Sequence, residues 1–167
     1  FNHPDIEVVA INDLGPLDNL AYLLVSDSAY GRAPFSVAVT DAALNINDTP
    51  ITFVQEREPA KLPWGDLGID VVVESTGFFT EYSGAKQHLD AGAKRVVISA
   101  PAKGSPEEAG VTGATVLMGV NDEQLGQCQI SSNASCTTNA TSPLIAILKE
   151  AIGVDKAILN TVHAYTS

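Results

Sequence analysis

The residues best suited to chemistry lie late in the chain, in Ser131-Ser132-Asn133-Ala134-Ser135-Cys136-Thr137-Thr138. A helix is expected just after them. Leu144, Ile147, Leu148 and Ala151 share one face, Pro143 suits a first turn, and Gly153 suits the position past the end. If that helix extends back through Thr138 and Thr137, Cys136 stands at its N-terminus. Free N–H groups and the positive end of the dipole favour a thiolate there, and the same N–H groups can hold an oxyanion. The commoner fate of a free cysteine is that of a small buried hydrophobe. The polar neighbours Ser135, Thr137, Thr138 and Asn139 argue against it for Cys136, whereas Cys128 lacks them and is read as structural.

His163 follows the strand-like run 158–162. One helix and a return strand would bring its imidazole beside the sulfur as an activating base. A satisfied structural histidine at a strand end is the competing reading, and it is the one taken for His3 and His88. A thiolate activated in this way is a nucleophile suited to covalent catalysis.

The elements that must position this pair are legible as apolar runs. Strands are expected at 6–11, 35–40, 70–74, 95–99 and 115–120, with a hairpin over 44–55 turning at Asn47-Asp48. Helices are expected at 17–26 and at 85–91, the second stopped by Gly92, and 101–113 reads as a loop. β-branched runs separated by helices predict an α/β fold with a parallel sheet covered on both faces. Ligands of such sheets sit outside the carboxyl ends of the strands. Here those ends are Asp13, Ser75-Thr76-Gly77 and Ser99-Ala100-Pro101. A strand-end carboxylate can bind an adenosine ribose, and Asp13 would favour NAD over NADP because a 2′-phosphate would meet a like charge. Alternatively, Asp13 merely caps the following turn. Arg57, between Glu56 and Glu58, reads from its neighbours alone as a solvated surface arginine.

Composition narrows the partners. Nine basic against twenty acidic residues give a net charge of −11, which disfavours nucleic acid and anionic membranes. With 45% hydrophobic and 17% charged residues the chain can build a core. Two cysteines make neither a disulfide framework nor a zinc site, and no metal is expected. No apolar run reaches the roughly 18 residues of a membrane span, so a cytoplasmic location is the default expectation. Phe1 in place of an initiator methionine, and an abrupt end at Ser167, suggest an internal piece of a longer chain.

The run 132–139 closely resembles the active-site signature of the phosphorylating glyceraldehyde-3-phosphate dehydrogenase family. The resemblance spans nearly the whole chain, in order: EVVAIND at 7–13, Trp64-Gly65, DVVVESTG at 70–77, HLDAGAK at 88–94, VISAPAK at 97–103, MGVN at 118–121 and TVHAYT at 161–166. It implies a Rossmann-type NAD-binding domain over 1–135, with its Gly-rich turn upstream of Phe1, then the beginning of an α+β catalytic domain over 136–167. Cys136 would be the nucleophile and His163 its base. Ser135, Thr137 and Thr166 would contact substrate or phosphate. Asp13, Arg57 and Ser99 would bind NAD, with Thr76 and Gly77 lining the same cleft; for Arg57 the resemblance replaces the surface reading. The family implies glyceraldehyde 3-phosphate and inorganic phosphate as substrates, a cytoplasmic homotetramer and a role in glycolysis. Ala140 departs from the pattern, replacing a second cysteine that many members carry, and 104–115 fits loosely. The competing expectations are erythrose-4-phosphate dehydrogenase, an inert fragment of either enzyme, and a cysteine hydrolase without nucleotide. The stretch His163-Ala164-Tyr165-Thr166 looks more like the glyceraldehyde enzyme.

Overall fold

A computed structural model describes residues 3–40 and 43–165. The chain divides into two compact units, Phe1–Ile69 with Asp90–Gly92, and Asp70–Leu89 with Ala93–Ser167.

The first unit contains β1 (Ala10–Asn12), α1 (Leu17–Val25), the short pair β2 (Ser26–Asp27) and β3 (Gly31–Arg32), then β4 (Val37–Thr40), β5 (Ala43–Ile46) and β6 (Thr49–Val54). Its main sheet has the order β1-β6-β5-β4, with β1 parallel to β6 and the rest an antiparallel meander. The β5–β6 hairpin turns at Asn47 and Asp48, both at positive φ, the two-residue turn that best matches strand twist. Ala21, Leu44, Ile46 and Ile51 form the buried core, with Ile11, Leu17, Leu24 and Phe35 packed on it. The strand expected over 6–11 is shorter, Ala10–Asn12. Its register sets Ala10 opposite Thr52, so continuing it would bring Val8 opposite Pro50, which has no N–H to give the ladder.

The second unit contains β7 (Val71–Glu74), α2 (Tyr82–Asp90), β8 (Arg95–Ile98), β9 (Gly113–Thr115), β10 (Ile130–Ser132) and α3 (Cys136–Ala151). Its sheet is wholly parallel, in the order β7-β8-β10-β9. The core is Tyr82, Ala85, Val96, Ile98 and Ile130, with α2 against one face. This is the expected α/β class.

Several expectations need correction. Coverage of both sheet faces fails at β7, where Val72 and Glu74 are buried but Val71 and Val73 are 49% and 63% exposed. A β-branched run looks the same in sequence whether one face or two are covered. The strand expected at 115–120 is instead β9, ending at Thr115. Asn121 stops it: its side chain accepts from the Leu117 N–H at 2.8 Å and donates to the Thr115 carbonyl at 2.9 Å, taking up groups a ladder would need. Residues 158–162 form no strand, and Ile158 and Val162 are 98% and 97% exposed, since no strand edge among the described residues pairs with them. β10 was not anticipated, because Ile130-Ser131-Ser132 is short and mostly polar, yet all of it is buried. α2 does stop before Gly92, at φ 105°, where a Cβ would lie 2.5 Å from Gly65 Cα.

Candidate active site

The turn from β10 into α3 is built from polar side chains. Ser132 Oγ donates to the Ala100 carbonyl at 2.6 Å and accepts the N–H groups of Ala134 at 3.0 Å and Ala102 at 3.2 Å. The Asn133 N–H reaches the Ile98 carbonyl at 3.1 Å. Ala134, buried, takes a left-handed conformation at φ 63°. From inside the helix, Asn139 Nδ2 donates back to the carbonyls of Asn133 at 2.6 Å and Ser135 at 2.9 Å.

Ser135 is the N-cap: its Oγ accepts the Thr138 N–H at 3.1 Å. Cys136 is therefore the first residue of α3, as the sequence suggested, and its side chain is exposed. Ser135→Ala should cost about 1 kcal/mol, the usual loss of a serine cap, measurable by denaturant unfolding. The same variant should slow alkylation of Cys136, because the helix turn carrying the sulfur frays.

His163 Nε2 lies 3.3 Å from Cys136 Sγ, and its Nδ1 lies 2.6 Å from the Ala164 carbonyl. Nδ1 thus carries the donated hydrogen, and Nε2 faces the sulfur as its proton acceptor. The hydrogen bond with His163, then those from the Thr137 hydroxyl and N–H, hold the Cys136 thiol below its ordinary pKa. The Ala164 carbonyl, followed by Cys136, raises His163 above its own. His163 reaches this position from a segment that is neither helix nor strand, not from the strand end that was expected. Cys128 is buried, its thiol donating to the Gln124 carbonyl at 3.3 Å.

The other candidates form two groups. In the first unit, Asp13 follows β1, and its Oδ1 accepts the Gly15 N–H at 2.7 Å. Capping therefore engages one oxygen; the other has no partner among the described residues. Asn12 fixes this corner: its amide accepts the Glu56 N–H at 2.9 Å and donates to the Glu56 carbonyl at 3.0 Å. That double clasp holds Asp13 and Arg57 at the same end of the parallel pair β1 and β6. Arg57 is exposed and joins no ion pair among the described residues, while Glu58 pairs with Lys61 at 2.7 Å. Asn12 escaped sequence reasoning, since an asparagine beside Asp13 signals only a turn, and Asn139 was read only as a polar neighbour of Cys136, not as a clasp on the backbone.

In the second unit, Thr76 and Gly77 follow β7 and Ser99 follows β8, with the Ser99 N–H on the Glu74 carbonyl at 2.9 Å. Gly77 has φ 78° and open space where a Cβ would be. Thr166 lies outside the described residues. Taken each by itself, a strand-end carboxylate with a spare oxygen has the chemistry to meet a ribose diol, and a bare glycine backbone permits close approach of a ligand.

Two family models match. Residues 1–82 match "Glyceraldehyde 3-phosphate dehydrogenase, NAD binding domain", and residues 135–167 match the "C-terminal domain" of the same enzyme. Glyceraldehyde-3-phosphate dehydrogenase from Mycolicibacterium smegmatis is 51% identical over 165 residues, covering 97% of this chain and 46% of the relative. Glyceraldehyde-3-phosphate dehydrogenase 1 from Streptomyces arenae is 46% identical over 164 residues, again 97% of this chain and 47% of the relative. The corresponding Bacillus subtilis protein is 45% identical over 169 residues, covering all of this chain and 48% of the relative.

The chain belongs to the glyceraldehyde-3-phosphate dehydrogenase family. It spans about half the length of the curated relatives it matches. Membership makes its α/β fold Rossmann-type. The glyceraldehyde-3-phosphate dehydrogenase C-terminal segment opens at Ser135, the cap of the helix that carries Cys136.

Proposed function

We propose that the protein carrying this chain is a phosphorylating, NAD-dependent aldehyde dehydrogenase of glycolysis. It would convert glyceraldehyde 3-phosphate and inorganic phosphate to 1,3-bisphosphoglycerate. The observation that carries this reading is the 3.3 Å contact between Cys136 Sγ and His163 Nε2 at the start of α3. We assign residues 1–135 to the NAD-binding domain and 136–167 to the catalytic domain. A cytoplasmic homotetramer goes with the same reading.

The chemistry follows from the pair. His163 takes the thiol proton, and the Cys136 thiolate adds to the aldehyde carbon. The imidazolium returns its proton to the developing alkoxide, giving a hemithioacetal on Sγ. Backbone N–H groups of the first turn of α3, with Ser135 and Thr137 beside them, suit the oxygen that carries the charge. Bound NAD supplies the hydride acceptor. His163 recovers the hydroxyl proton as the carbon is oxidised, which leaves an acyl thioester on Cys136. A phosphate oxygen then attacks the acyl carbon, the C–S bond breaks, and the thiolate is restored. Thr166 is assigned to substrate or phosphate. Asp13, Arg57, Thr76, Gly77 and Ser99 would hold the cofactor, Asp13 through the adenosine ribose.

The names of the matched relatives favour glyceraldehyde 3-phosphate over erythrose 4-phosphate. A cysteine hydrolase leaves the Asp13 corner without a purpose. The test is NADH formation from NAD, glyceraldehyde 3-phosphate and phosphate by the full chain. Omitting any one of the three should stop it. Equal or faster turnover of erythrose 4-phosphate, or ester hydrolysis with no NADH, would replace this reading.

A further inference from the structure

The mechanism leaves one buried ionisable pair unused. Glu74, the last residue of β7, and His88, in α2, are 3% and 4% exposed. Their side chains meet at 2.9 Å between Glu74 Oε2 and His88 Nε2. Burying such a pair is costly, and an apolar pair of similar volume would often serve stability as well or better. The pair has a second set of contacts. Glu74 Oε1 accepts the Thr76 N–H at 2.8 Å and the Thr76 hydroxyl as well. Thr76 Oγ1 in turn accepts the Phe78 N–H at 3.1 Å. Burial raises the Glu74 carboxyl, but the hydrogen bonds from His88 and Thr76 outweigh it and hold its pKa below the ordinary value. The group is therefore an ionised acceptor under the loop.

That loop has little packing of its own. Ser75, Thr76 and Gly77 are exposed, Phe78 is 86% exposed, and Gly77 stands in open space. Its shape comes from below. A run of hydrogen bonds links His88, Glu74, Thr76 and the Phe78 amide. On the far side of Gly77, Phe79 sets its ring against the His88 imidazole, edge to face, with centroids 6.4 Å apart. Both flanks of the glycine crest are thus tied to one side chain of α2.

We propose that Glu74 and His88 are positioning residues for the dinucleotide, holding loop 75–79 in its binding shape through Thr76 and Phe79 without touching the ligand themselves. This rests on the reading that Thr76 and Gly77 line the NAD cleft. The test is direct titration of the full chain with NAD, alongside KM and kcat. His88→Ala should raise the NAD Kd about tenfold or more, because a buried carboxylate loses its partner. KM for NAD should follow, with kcat at saturating NAD within about twofold, since no reacting group is touched. His88→Gln, whose amide can still donate to Glu74, should recover most of the affinity.

Thr76→Val keeps the variant folded if His88→Ala does not, because Thr76 is exposed. It should weaken NAD and speed hydrogen exchange at the Phe78 amide. Loss of thermal stability in His88→Ala with an unchanged Kd would overturn the proposal, as would an unchanged Phe78 exchange rate in Thr76→Val. If the unsubstituted chain itself fails to bind NAD, the cofactor reading falls and this inference with it. Tight binding by the unsubstituted chain and by His88→Ala alike overturns this inference alone.

Discussion

Replacing Cys136 by serine in the full chain should abolish aldehyde oxidation, a loss of about 10⁴-fold or more, while NAD affinity stays within about twofold. The hydrogen bonds that shape the turn from β10 into α3 do not depend on the sulfur. Ser132, Asn133, Ser135 and Asn139 make them. A hydroxyl at 136 leaves that lattice intact but is a far weaker nucleophile at neutral pH, and His163 is too weak a base to ionise it. Two measurements settle the matter: NADH formation at saturating substrates and a binding titration with NAD. Residual turnover within about a hundredfold of the parent would remove the covalent intermediate from the mechanism. Loss of NAD affinity along with activity would mean that the substitution had disturbed the fold instead.

The second large effect concerns His163→Asn, read by the pH dependence of thiol alkylation. In the parent, the His163 contact is the leading cause of the lowered Cys136 pKa. Thiolate therefore persists to lower pH than for an ordinary cysteine and disappears as pH falls through the depressed value. The imidazole pKa is shifted upward, mainly by the Ala164 carbonyl, so the cation survives to higher pH than usual. Each shift widens the range over which thiolate and imidazolium coexist. Asparagine removes the cation but leaves Thr137 and the helix terminus in place. The midpoint should rise part of the way toward the ordinary value, and alkylation near pH 7 should slow about tenfold. At high pH, where either thiol is ionised, the two rates should converge. An unmoved midpoint would take His163 out of the activating role.

How much of this was readable from residues alone differs by element. The start of α3 at Cys136 was legible in part: a helical run traced back through Thr138 and Thr137 does begin at Cys136, and Gly153 does follow the end, but Pro143, expected in a first turn, lies two turns inside the helix. The Asn47-Asp48 hairpin was legible for a similar local reason. What failed was non-local. The end of β1 depends on which residue of β6 stands opposite, and Pro50 lies forty residues away along the chain. The run 158–162 has every mark of a strand except a partner, and no local pattern reveals a missing partner. β10 hid for the opposite reason: its serines look like loop, yet Ser132 is buried because it meets three backbone groups. Among the site residues, Cys136 stood out by its polar surroundings. The structure gives those surroundings a different use: Ser135 and Asn139 act chiefly on the backbone, and only Thr137 reaches the sulfur. His88, read as structural, is buried as that reading implies, but its partner Glu74 was not visible from a spacing of fourteen residues.

The left-handed Ala134 limits which sequences can present this sulfur. An L-residue in that conformation carries a penalty of roughly 1–2 kcal/mol, and a glycine would be free of it. Position 134 is also enclosed, with its N–H held by Ser132. Variation there is thus open in one direction. Drift to glycine relaxes the backbone at the expense of a looser unfolded chain, whereas valine or threonine meets both the unfavourable φ and a closed space. A library randomised at this codon and selected for folding should return alanine and glycine, with asparagine rare and β-branched residues absent. The residue two places before the nucleophile, chemically inert, would then be among the least interchangeable in the segment.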